Sequence, residues 1–145
     1  MKKTLNIVLV ILLLAGLIGV RFWQEQLFYD PLLVFFEGVY LNAEKLPDLD
    51  FRKLLISISA RFWLNSVLSL SVLFQLFRKS GIVKISFLVY LVVFILLLVG
   101  FALVVLNYTS ECSLLLFYIR RFLIQPILLL ILVPAFYYHR IRSEK

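Results

Sequence analysis

The sequence predicts an all-α integral membrane protein in which four transmembrane helices form one domain over residues 1–145. Apolar residues make up 63% of the chain and the mean hydropathy is +1.05, far above the values of soluble globular proteins. Several apolar runs approach or exceed the roughly 20 residues with which a helix crosses a bilayer. Basic residues cluster at the ends of these runs, an arrangement that sets topology in a membrane. A chain of 145 residues is too short to enclose such runs in a soluble core.

The first predicted span covers residues 5–22. Its charged start and apolar middle are also typical of a secretory signal. The run ends at residues 19–23 in GVRFW, however, which lacks the small residues of a cleavage site, and no lipobox cysteine follows. We therefore predict an uncleaved transmembrane helix, with a cleaved signal as the alternative.

Residues 24–53 are predicted to form an external loop. Asp30-Pro31 interrupts the aromatic first part, and a proline suits the first turn of a helix. A helix from Pro31 to Leu41 is too short to span a bilayer, which predicts a short interfacial or re-entrant helix between spans 1 and 2. The following stretch, NAEKLPDLDFRK, is the most polar part of the chain.

The remaining predicted spans cover residues 54–77, 85–106 and 114–138. Lysine and arginine are concentrated at the N-terminus, in the turn around Gly81 and in the C-terminal tail. The opposite side carries fewer basic residues, and these are diluted by acids. The positive-inside rule then predicts that both termini are cytoplasmic.

Polar residues inside two predicted spans identify the candidate binding site. Ser57, Arg61, Asn65 and Ser69 recur every four residues and therefore share one helix face. Arg61 and the pair Arg120–Arg121 lie at matching depth, roughly 10 Å below the outer boundary at 1.5 Å per residue. Arg121 and Gln125 likewise share a face of the fourth predicted span, and we expect the two polar faces to meet beneath the external loop. The candidate residues for binding a partner or lipid are Arg61, Asn65, Arg120, Arg121 and Gln125.

Cationic side chains within a membrane helix need a counter-charge or a route to water. Four acids are candidates for the counter-charge: Glu37, Asp48, Asp50 and Glu111. Because Arg120 and Arg121 are roughly 100° apart on a helix, one should pack inward while the other extends to the headgroups. The pattern fits a structural or lipid-phosphate role as well as recognition of a partner or substrate.

The sequence contains no complete catalytic constellation. Cys112 is the only cysteine and His139 the only histidine, which excludes an intrachain disulfide and disfavours a metal site. These two residues occupy opposite ends of the fourth predicted span, roughly 40 Å apart at 1.5 Å per residue, so His139 cannot activate the thiol. No cofactor is indicated, and the distribution of the +7 net charge argues against nucleic-acid binding.

Three stretches carry a family resemblance: FYDPLLVFF (28–36), RFWLNSVLSL (61–70) and RRFLIQPILLLILVPAFYY (120–138). Together with the length and spacing of the chain, they resemble the small bacterial membrane family described as exosortase F system-associated proteins. The third stretch is the most distinctive. The resemblance implies an inner-membrane accessory role in envelope protein sorting, beside an enzyme that processes C-terminal sorting signals.

These observations lead to one expected function and two alternatives. We expect a non-catalytic accessory protein that binds the exosortase or its substrate helix through the polar face in the outer leaflet. The first alternative is a protein that binds lipid or an anionic solute. A membrane enzyme using Cys112 is the second.

Overall fold

The computed structural model describes residues 1–144, which are mainly helical and contain no β-strand. The helices are α1 (Lys2–Phe22), α2 (Gln24–Leu27), α3 (Pro31–Glu37), α4 (Phe51–Phe77), α5 (Ser80–Leu106), α6 (Ser113–Ile124) and α7 (Ile127–Ser143). A single 3-10 turn, Ser110–Cys112, precedes α6. The predicted all-α class is therefore confirmed.

Helices α1, α4 and α5 are long and apolar enough to cross a membrane. They correspond to the first three predicted spans and begin a few residues earlier than the sequence indicates. Helices α6 and α7 reach a spanning length only as a pair, and they are bent by 63° where they join. Length and composition thus give three membrane-spanning candidates, or four if the bent pair is one span.

The fourth predicted span, 114–138, is not one continuous helix. Gln125 has an extended backbone (φ −111°, ψ 146°) and separates α6 from α7. The cause is Pro126, which lacks an N–H group and disfavours helical geometry in the residue before it. Pro134 lies inside α7 without ending it.

Helix α4 is the centre of the packing, with α1, α5, α6 and α7 all in contact with it. One buried cluster joins Leu54, Ile58 and Phe62 of α4 to residues of α3, α5 and α6. A second cluster joins Val72, Leu73 and Phe77 to Leu17 of α1 and Leu129 of α7. Large apolar side chains on α1 and α5 remain exposed on the outer surface, as expected for helices that face lipid.

The connection between α1 and α4, which was predicted as an external loop, is partly packed against the core of the protein. Leu32 of α3 is completely buried against the α4 and α6 core, so α3 is part of the packed interior. The Tyr108 hydroxyl donates to the carbonyl of Ala43 at 3.2 Å, which attaches the polar stretch to the end of α5. Burial raises the pKa of the Tyr108 phenol above its ordinary value, so this donor stays protonated at neutral pH.

The polar stretch ends where α4 begins. The Asp50 carboxylate accepts a hydrogen bond from the backbone N–H of Lys53 at 3.2 Å and caps the helix. The backbone N–H of Asp50 donates to the Tyr29 hydroxyl at 3.1 Å, which joins this cap to the start of α3.

We expect Asp50→Ala to lower the free energy of unfolding by about 1 kcal/mol, because the first turn of α4 would lose its cap. Thermal unfolding of the purified protein in detergent, followed by circular dichroism, measures this change. Asp48→Ala is the matched control, since it removes the same charge from an exposed position two residues away. Equal effects of the two substitutions would contradict a capping role.

Candidate functional site

One carboxylate lies between two buried guanidinium groups in the interior of the protein. Asp30 Oδ1 accepts from Arg120 Nε at 3.3 Å, and Asp30 Oδ2 accepts from Arg120 Nη2, so the pair is bidentate. Arg61 Nη1 lies 3.8 Å from the same Oδ2 atom. The side chains of Asp30 and Arg120 are each 6% exposed, and that of Arg61 is 3% exposed. We call these three residues the charge cluster.

Three separate elements position the charge cluster. Asp30 is the residue immediately before α3, and the burial of Leu32 fixes that helix against the core. Arg61 lies in α4 and Arg120 in α6, both on the buried faces of their helices. Aromatic rings complete the surroundings: Phe28 lies 5.7 Å from the Arg61 guanidinium, and Phe36 lies 5.7 Å from that of Arg120.

The charge cluster contains two cations and one anion. Arg61 also donates through Nη2 to the side-chain oxygen of Gln24, which is neutral. The Nε atom of Arg61 is buried and has no hydrogen-bond partner among the described residues. An excess positive charge in a site of low exposure is energetically unfavourable, and an additional anion would relieve it.

The polar face of α4 extends from the charge cluster to the break between α6 and α7. Asn65 Nδ2 donates to the backbone carbonyl of Ile124 at 3.0 Å. That carbonyl is in the last turn of α6, where the helix leaves its acceptors unpaired. On this face of α4, Arg61, Asn65 and Ser69 are buried, while Ser57 is half-buried.

The structure assigns the inward position to Arg120. The buried residues of α6 include Leu116, Arg120 and Leu123, which lie on one helix face. Arg121 is exposed, and its Nε donates to Gln125 Oε1 at 3.2 Å. The expectation that Arg121 and Gln125 form the inward face is therefore wrong, because the packing of Leu116 and Leu123 sets the rotation of α6.

The four predicted counter-charges do not neutralise the arginines. Glu37, Asp48, Asp50 and Glu111 are all exposed, and within residues 1–144 none is ion-paired to an arginine. Asp30 takes that role. Its position inside the apolar stretch FYDPLLVFF is a signal that could have indicated this, since a carboxylate with apolar neighbours has the greatest need of a partner.

A cavity of about 230 Å³ adjoins the charge cluster. Its lining includes four arginines: Arg21, Arg61, Arg120 and Arg121. Gln24 and Gln125 contribute amide groups to the same wall. The cavity is thus strongly cationic. It is lined both by Arg61, which is buried on α4, and by Arg121, which is exposed on α6.

Cys112 and His139, the two residues considered for catalysis, lie at opposite ends of the α6–α7 pair. Cys112 is half-buried before α6, and its Sγ accepts a hydrogen bond from the Thr109 hydroxyl at 3.3 Å. His139 is exposed near the end of α7, at the far end of the bent pair. Among the described residues, no group of three or more His, Cys, Asp or Glu side chains is arranged to hold a metal ion.

Comparisons with protein-family models, curated proteins and solved structures find no match to this chain.

The charge cluster holds two cations and one anion. We therefore predict that removal of the anion destabilises the protein more than removal of one cation. Asp30→Asn leaves two buried guanidinium groups without an anion and should lower the free energy of unfolding by about 3–5 kcal/mol. Arg120→Met leaves Asp30 paired with Arg61 and should lower it by less than about 2 kcal/mol. Unfolding in mixed detergent micelles at increasing dodecyl sulfate measures both changes.

Glu37→Gln is the control for this comparison, because it removes a carboxylate from the exposed end of α3 and should change stability by less than about 0.5 kcal/mol. A larger loss for Arg120→Met than for Asp30→Asn would contradict a cluster with excess positive charge.

Proposed function

We propose that this chain is a non-catalytic accessory protein of an exosortase-type protein-sorting system in a bacterial inner membrane. It binds the sortase, or the membrane helix of a sorting signal, through the arginine-rich face between α1, α4 and α6. The link to sorting comes from the family resemblance of three stretches of sequence, and the mode of binding comes from the geometry of the site.

One observation carries the proposal: the three resembling stretches meet at the charge cluster. Asp30 belongs to the stretch 28–36, Arg61 to the stretch 61–70 and Arg120 to the stretch 120–138. Contacts between residues as distant in sequence as Asp30 and Arg120 require the assembled fold. The stretches that resemble the family therefore meet in one buried ion cluster. This supports a fold in common with the family, and a common fold is a condition for a common role.

A binding role fits the site better than a catalytic one. Arginines can neutralise and orient a charged or polar group, whereas Cys112 has neither an imidazole nor a carboxylate among its described hydrogen-bond partners to act as base. This favours the accessory function over a membrane cysteine enzyme. The alternative of binding lipid or an anionic solute is favoured by a specific cavity and is developed in the next subsection.

The proposed topology has four spans, with the bent α6–α7 pair as the fourth. The N-terminus, the α4–α5 turn and the C-terminal tail are then cytoplasmic, because the lysines and arginines near the ends of the spans are concentrated there. Helix α3 lies near the outer interface beside the charge cluster. A bent span is tolerated within a bilayer when neighbouring helices satisfy its free backbone groups, as Asn65 does here for Ile124.

The single cysteine provides a direct test of this topology. A membrane-impermeant maleimide applied to intact spheroplasts should label Cys112, which lies on the outer side in the proposed orientation. In a Cys112→Ser background, Ser143→Cys should be labelled only after the membrane is permeabilised, because residue 143 lies on the inner side. The reverse pattern of labelling would overturn the proposed orientation.

The sorting role has its own test in cells that contain the exosortase. The tagged chain should co-purify with the sortase in mild detergent, and its deletion should raise the ratio of unprocessed to processed sorting substrates several-fold. Arg121→Leu should reproduce most of that rise, because Arg121 is one of the two exposed arginines of the cavity and its loss spares the charge cluster.

Arg142→Leu, which removes an exposed arginine from the end of α7, should leave processing unchanged. Normal processing in the deletion strain, together with failure to co-purify, would rule out the accessory function.

A further inference from the structure

A second cavity continues the arginine-lined cavity along α1 and α7. It has a volume of about 250 Å³, and its wall is mainly apolar, with Leu17 and Ile18 from α1 and Ile127 and Leu130 from α7. Arg21, Ile124 and Gln125 line both cavities, so the two are neighbours with a shared boundary. Together they form a cleft that is cationic at one end and apolar at the other.

We propose that this cleft binds one anionic phospholipid, with the phosphate in the arginine-lined cavity and an acyl chain along the apolar groove. The proposal requires that the helices lie in a membrane, but it does not depend on a role in protein sorting.

The charges of the cleft favour an anionic occupant. Among its four arginines, Arg61 and Arg120 are both ion-paired with Asp30. Arg21 and Arg121, at the rim, have no carboxylate within ion-pair distance among residues 1–144. Arginine matches phosphate well, because its planar guanidinium group donates two parallel hydrogen bonds to neighbouring oxygens. A phosphate would also offset the excess positive charge of the charge cluster.

An unsatisfied donor points to the same occupant. Arg61 is 97% buried (3% exposed), lines the cavity, and has an Nε–H group without a partner among the described residues. A buried guanidinium N–H group normally donates to an acceptor, and a buried donor without a hydrogen bond is energetically unfavourable. The cavity volume is many times the roughly 10–15 Å³ that one water molecule needs, so a larger group can enter.

The helix break adds a fixed dipole to the cleft. Helix α7 begins at Ile127, two residues after Gln125, which lines both cavities, and no side chain caps its first turn. The N-terminus of a helix carries a partial positive charge and free donors, which favour a nearby anion. In membrane proteins, such broken helices commonly place their ends at binding sites.

An acyl chain explains the apolar part of the cleft better than a free anion does. The part of the groove between Ile18 and Leu130 is apolar, and an acyl chain attached to the phosphate would fill it, whereas a soluble phosphate would leave it empty. Both side chains are more than two-thirds exposed, at 70% and 72%, so the groove is open along its outer side, where lipid would enter. A lipid therefore uses both ends of the cleft at once.

Native mass spectrometry of the purified protein, titrated in detergent with phosphatidylglycerol or with phosphatidylcholine of the same chains, tests the proposal. The first phosphatidylglycerol should bind at least about tenfold more tightly than phosphatidylcholine, a difference of about 1.4 kcal/mol. The double variant Arg21→Gln/Arg121→Gln should lose most of this preference and still fold, because both residues are exposed and outside the charge cluster.

The matched control is Arg140→Gln/Arg142→Gln, which removes the same charge from the other end of the molecule and should keep the preference. A third variant, Ile18→Trp, fills the groove and should weaken the binding of phosphatidylglycerol. Free glycerol 3-phosphate in excess should not displace the lipid.

Three results would overturn the proposal. Equal affinity of the wild type for the two lipids, or equal effects of the two double variants, would remove the anionic lipid site. Displacement of the lipid by free glycerol 3-phosphate would assign the cavity to a soluble anion instead. None of these results bears on co-purification with an exosortase, so the lipid site and the sorting function fail or stand separately.

Discussion

The structure depends on a single carboxylate that neutralises arginines from two different helices. Asp30 lies between Arg61 of α4 and Arg120 of α6, all three nearly excluded from solvent. Burying guanidinium groups is favourable only when an anion and good hydrogen bonds accompany them. Asp30 therefore couples the position of α3 to the rotation of α6 and to the inward face of α4. The short α3 thereby becomes part of the interior.

The excess charge of this cluster connects the fold to the proposed roles. Two cations that share one anion hold α3, α4 and α6 together, but they also leave a cationic cavity beside them. A protein whose only need was stability would gain more from an apolar interior or a matched ion pair. Retaining the additional arginines is consistent with recognition of an anionic or polar group, whether a lipid phosphate or a group on a protein partner.

The break between α6 and α7 is the second constraint on the site. Pro126 ends α6, and Asn65 of α4 satisfies the carbonyl of Ile124 at that point. The same break turns the start of α7 toward the groove beside α1. One proline thus sets the direction of α7 and places the helix break beside Ile124 and Gln125, which line both the polar and the apolar parts of the cleft.

The sequence by itself determined the helical class, the three long apolar helices and the buried polar face of α4, because composition and four-residue spacing are local properties of the chain. The buried arginine pair was also predicted, but not which arginine of α6 faces inward, since the packing of Leu116 and Leu123 decides that rotation. Only the tertiary structure identified Asp30 as the partner, because its contact with Arg120 joins positions 90 residues apart and no spacing rule links them. The cleft likewise exists only where α1, α4, α6 and α7 come together, so its arginines and apolar groove could not be assigned to one site from the sequence.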